Sequence, residues 1–154
     1  MRTLVSIAAF LLPTIASAQS FTPEQHLQGL AGSWRGSGIV KFTTGNEESV
    51  TCRVTNTVTG NSLSMTIVCG SSSLKATGHT NLILSGNALS GQWSVPEHDA
   101  RGNVGCKMFP SGAINCKLSG SFDGYLSLKA ENGRLQANFT MTSTAGIRVN
   151  MAKT

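Results

Sequence analysis

Between residues 49 and 69 the apolar side chains fall on every second position. Val50, Cys52 and Val54 alternate with Ser49, Thr51 and Arg53, and Leu63, Met65, Ile67 and Cys69 alternate with Ser64, Thr66 and Val68. A period of two is that of a β-strand with one buried face and one wet face. Turn signals punctuate the rest of the chain: Gly45-Asn46, Gly60-Asn61, Gly86-Asn87, Pro110-Ser111-Gly112, Asp123-Gly124 and Asn132-Gly133 all supply residues that accept positive φ. Short β runs at this spacing predict an all-β sandwich or barrel of roughly eight to ten strands. Tight hairpins make an up-and-down antiparallel meander, and closing it into a β-barrel removes the exposed edges.

The turns also fix register. Cys52 lies eight residues before Gly60 and Cys69 eight after Asn61, so a two-residue turn sets the two face to face. Cys106 lies four before Pro110 and Cys116 four after Gly112, with the same result for a three-residue loop. Four cysteines allow three connectivities. Directly opposed residues stand roughly 4.5–5.5 Å apart, within disulfide reach, and the pairing predicted is Cys52–Cys69 and Cys106–Cys116. Around Asn132-Gly133, Leu126 and Leu128 similarly face Phe139 and Ala137.

One helix is predicted, ahead of the first strand. Thr22 is placed to cap it, Pro23 suits its first turn, Gln25 stands at the capping-box position, and Leu27 and Leu30 share a face. The helix ends by Gly32, and Trp34 opens the first strand.

Composition changes the picture at the start of the chain. Arg2, an apolar run from Leu4 to Ile15 and then Ala16-Ser17-Ala18 read as a signal peptide over residues 1–18. Residues 19–32 then form the N-terminal segment with its helix, and 33–154 the barrel domain. The full chain has 154 residues, 12 Lys+Arg and 7 Asp+Glu, a formal charge of +5. Removing residues 1–18 takes away one basic group, Arg2, and leaves 136 residues at +4. No later apolar run approaches the roughly 20 residues of a membrane helix, so a periplasmic or secreted monomer is expected. The basic residues are spread singly, without interleaved aromatics, which gives no nucleic-acid platform. Aromatic girdles of an outer-membrane barrel are missing.

Leu30-Ala31-Gly32-Ser33-Trp34 resembles the Gly-x-Trp motif of the lipocalin and wider calycin group, in which a short helix leads into an up-and-down barrel. That resemblance implies that Gly32 and Trp34 close one barrel end with a basic residue of the final strand. Arg148 is the first candidate for that residue and Lys153 the second. It also implies binding of a small, partly apolar molecule. The chain is similar too to exported bacterial inhibitors of metalloproteases, whose segment ahead of the barrel enters the protease cleft. Gln19, Ser20 and Phe21 would be the contacting residues here.

Phe42, Met65, Trp93 and Phe139 are the candidates for a ligand-lined interior, and the same four would equally serve as core. An eight-stranded barrel has room for its own side chains or one small ligand, and few aromatics among many Ser, Thr and Gly leave such an interior under-filled. Pro96-Glu97-His98-Asp99-Ala100-Arg101-Gly102 is the one charge-dense window and is expected to be a solvated loop. No nucleophile elbow, zinc-protease helix or phosphate loop is present. The sequence therefore predicts no catalytic residue, metal or cofactor, and a protein that is not an enzyme: a small-molecule binder first, with a protease inhibitor or a structural envelope protein without ligand as the alternatives.

Overall fold

A computed structural model describes residues 21–141 and 145–154. The signal peptide expected over residues 1–18, together with Gln19 and Ser20, lies outside the described residues. A helix, α1 (Pro23–Leu30), is followed by ten strands: β1 (Gly32–Phe42), β2 (Glu47–Thr59), β3 (Ser62–Gly70), β4 (Lys75–Ser85), β5 (Ala88–Val95), β6 (Ala100–Met108), β7 (Ala113–Gly120), β8 (Gly124–Glu131), β9 (Arg134–Met141) and β10 (Ala145–Lys153). Each strand pairs with its neighbours in sequence, and β10 closes on β1, from Trp34 opposite Lys153 to Phe42 opposite Ala145. The result is a closed antiparallel up-and-down barrel.

Its registers follow the turns. Cys52 pairs with Cys69, Cys106 with Cys116, Leu126 with Phe139 and Leu128 with Ala137. Both cysteine pairs are disulfides, with Cα atoms 4.2 Å and 3.9 Å apart, and both face inward, since all four cysteines are buried. At Asn132-Gly133 both residues have positive φ, 52° and 70°, as the hairpin turn that matches strand twist requires.

One turn differs from the sequence expectation. Asp123-Gly124 is not the β7–β8 turn: Gly124 is already in β8, buried and opposite Leu118. The chain reverses just before it, from Gly120 at φ 130°, and this brings Phe122 against the core. The charged window is also more ordered than expected. Pro96–His98 forms a single 3-10 turn ending at Asp99 in the left-handed region, and Ala100, Arg101 and Gly102 belong to β6.

The helix plugs one end. Thr22 Oγ1 accepts from the Gln25 amide at 3.3 Å and Gln25 Oε1 from the Thr22 amide at 2.8 Å, completing the capping box. Leu27 and Leu30, both buried, point into the barrel. The Leu30 carbonyl accepts from Trp34 Nε1 and from Asn56 Nδ2, each at 2.9 Å. The hairpin turns at residues 60–61, 86–87, 110–112 and 132–133 share this end. The connections at 43–46, 71–74, 96–99 and 121–123 share the other.

Candidate functional site

Trp34 is 1% exposed and lies at the plugged end, where the basic partner is Lys153, with Nζ 5.3 Å from the centre of the indole. Arg148 does not fill that role. It is exposed, pairs across the sheet with Ile39, and its Nε donates to Asn138 Oδ1 at 3.2 Å. The reason is strand parity: Ile147, Val149 and Met151 point inward, so Lys153 lies in phase with them and Arg148 out of phase. Asn56, which the sequence reading passed over, is the buried polar side chain among the described residues; its Oδ1 has no hydrogen-bond partner there.

The other half of the barrel holds a cavity of about 180 Å³. Met65, Trp93 and Phe139 line it, as does the Cys52–Cys69 disulfide. Phe42 does not: it packs half-buried against the core, away from this lining. Phe122 is the aromatic the sequence missed, because it stands in a connection rather than in a periodic strand. Its ring centre is 4.4 Å from that of Trp93 and 6.1 Å from that of Phe139. The three rings form one aromatic wall, and half-buried Leu74, Val95, Phe122 and Ile147 mark where the cavity nears solvent.

Trp93 owes its pose to missing side chains. Gly102 stands opposite it, and Gly120 opposite Gly102. A Cβ on Gly102 would fall 1.8 Å from Ser119 O and 2.8 Å from Trp93 Nε1, so only glycine leaves space for the indole. Its Nε1 donates to Asn103 O at 3.1 Å and Ser119 O at 3.2 Å.

No Asp, Glu, Lys or Arg lines the cavity. Charge sits at the rim. Glu48 accepts from Ser71 Oγ at 2.6 Å, Ser73 Oγ at 2.7 Å and the Ser73 amide at 3.2 Å. These bonds, that from Ser71 foremost, lower its pKa from an ordinary 4.5 to about 2. They tie β2 to the connection that carries Leu74. Glu97 is also held below its ordinary value, chiefly by the Thr77 hydroxyl. Asp99 and Arg101 approach to 3.9 Å, both largely exposed. Among the described residues no three His, Cys, Asp or Glu side chains converge as metal ligands would.

Phe21 is 66% exposed and rests against His26, ring centres 5.6 Å apart, at the plugged end. No described helix is long and apolar enough to cross a membrane.

No protein-family model matches the chain, and no curated protein matches it in sequence. Solved structures share its fold. An S-type phycobiliprotein lyase, CPES, from Guillardia theta superposes with a TM-score of 0.65 at 12% identity, over 87% of this chain and 93% of the lyase chain. Rv2717c from M. tuberculosis superposes with a TM-score of 0.70 at 14% identity, over 86% and 97%. The chain thus shares the fold of these structures, a closed ten-stranded up-and-down barrel in this protein, without assignment to a particular family. The likeness corrects one expectation. Missing catalytic motifs led to the reading that the protein is not an enzyme, but a lyase has this same barrel, so the fold and the missing motifs do not exclude catalysis.

Proposed function

We propose that the protein is an exported binding protein that takes up a small, partly apolar molecule in the half of its barrel away from α1. The observation that carries this reading is the 180 Å³ cavity walled by Trp93, Phe122 and Phe139 and lined by no Asp, Glu, Lys or Arg. Drug-sized ligands occupy pockets of roughly 300–1,000 Å³, whereas an engineered apolar cavity of about 150 Å³ takes up benzene. The volume therefore fits a one- or two-ring compound, or the end of a longer one that projects from the rim. That a phycobiliprotein lyase uses a similar barrel supports small-molecule handling. Uptake precedes either role, transport or reaction.

Export to the periplasm or medium belongs to this reading. It is supported by two disulfides, which persist in oxidising compartments, and by the leader-like sequence of residues 1–18. The test is native mass spectrometry of the protein from its own host beside a denatured control. A co-purifying small molecule lost on denaturation is expected; an apo mass that stays unchanged when aromatic probes are added would contradict it.

A second reading, inhibition of an exported protease by Gln19, Ser20 and Phe21, draws on the exposure of Phe21 beside the plugged end. Deleting residues 19–21 should then abolish inhibition and leave ligand uptake intact.

A further inference from the structure

Met65, Thr80 and Trp93 stand side by side on β3, β4 and β5, Met65 opposite Thr80 and Thr80 opposite Trp93. Together they form a layer across the barrel. Above it is the 180 Å³ cavity; beneath it, against Leu30, is a second chamber of about 30 Å³, and all three residues line both. The two spaces are separated by side chains rather than by backbone.

The three side chains differ in what they can do. Trp93 is fixed: its Nε1 is used by two carbonyls and its ring packs on Phe122. Thr80 is half-buried, lines both spaces and brings the one hydroxyl-bearing side chain to the layer. The other polar side chains at the lining alternate outward, and His79 Nδ1 is already 3.3 Å from Thr66 Oγ1. Met65 is unbranched, with three rotatable bonds, and is the member of the layer that can swing aside. Leu118, Leu126 and Leu128, which also line both spaces, are branched and stiffer.

We infer, resting on the ligand-binding reading above, that Thr80 and Met65 determine specificity: the cavity selects an uncharged ring compound that sets one hydrogen-bonding group on Thr80 Oγ1, and Met65 limits how deep the ring goes. Charge on the buried part of a ligand is selected against, because no Asp, Glu, Lys or Arg lines the cavity to compensate its lost hydration. A single donor or acceptor is rewarded, because Thr80 brings one hydroxyl to the lining to meet it. Swinging or trimming Met65 joins the lower chamber to the upper and lengthens the site toward α1.

Calorimetric titration with naphthalene, 2-naphthol, 2-naphthoate and 4-phenylphenol tests this. The wild-type protein should bind 2-naphthol about three- to tenfold more tightly than naphthalene, the range of one net hydrogen bond, and 2-naphthoate at least about tenfold more weakly than 2-naphthol. Thr80→Val should erase the naphthol advantage while keeping naphthalene affinity, and Thr80→Ser should preserve it. Met65→Ala should improve 4-phenylphenol binding about tenfold, while Met65→Leu, of similar volume, should not. An unchanged naphthol-to-naphthalene ratio in Thr80→Val, naphthoate binding equal to naphthol, or no gain in Met65→Ala would overturn the assignment. Failure of every neutral probe to bind the wild type would overturn the ligand-binding reading itself, and this inference with it.

Discussion

Lys153 Nζ stands over the Trp34 indole at 5.3 Å, and Lys153 also lies directly opposite Trp34 in the β1–β10 ladder. The last strand therefore closes the barrel and seals its plugged end with the same residue. Cation–π pairs contribute about 0.5–2 kcal/mol, the upper part of that range when desolvated. Lys153→Ala should lower stability within that range in urea denaturation. Arg148→Ala, which removes only an exposed bond to Asn138, should stay within about 0.5 kcal/mol of wild type. Equal losses would contradict the assignment of the seal to Lys153.

The two disulfides should separate by function. They span 17 and 10 residues, and chain entropy gives each about 3 kcal/mol. Cys52 and Cys69 line the upper cavity, whereas Cys116 lines only the lower chamber. Replacing either pair with alanine should therefore cost similar stability, while Cys52→Ala/Cys69→Ala should change probe affinity and Cys106→Ala/Cys116→Ala should leave it nearly unaltered. Denaturation and titration of the two variants check this.

Acid should loosen one wall. Glu48 titrates near 2 in the folded protein against an ordinary 4.5, so its contribution is complete above the unfolded value and is lost as pH falls from about 4.5 toward 2. The Ser73 amide, which donates to Glu48, should lose hydrogen-exchange protection over that window. Glu48→Gln should show the loss already at neutral pH. Protection that is the same in both proteins at neutral pH would rule out the carboxylate as the tie.

Local rules made the barrel readable. Each hairpin register depends on a turn whose residues announce themselves, which is why the Cys52–Cys69 and Cys106–Cys116 pairs follow from counting outward from Gly60-Asn61 and Pro110–Gly112. The Trp34 partner was read wrongly at first choice, as Arg148, although the signal was there: apolar Ile147, Val149 and Met151 set the phase of β10, and Lys153 shares it. Phe122 was not, because it enters the cavity from a connection where no period operates and the adjacent Asp-Gly pair imitates a turn. Phe42 had the right character and strand, yet cavity shape depends on how ten strands converge, which no single segment encodes. Thr80 was hidden for a similar reason: its place between the two spaces is a property of the layer that Met65 and Trp93 make with it.

The central claim, that ligand enters the half of the barrel away from α1, can be read from three methyl groups. Met65 and Met151 line the 180 Å³ cavity, and Met108 is buried without lining it. Carbon-13 methyl spectra of methionine-labelled protein titrated with 2-naphthol should show the Met65 and Met151 resonances moving together while that of Met108 stays in place. Resonances that all stay fixed, or a shift confined to Met108, would contradict the claim.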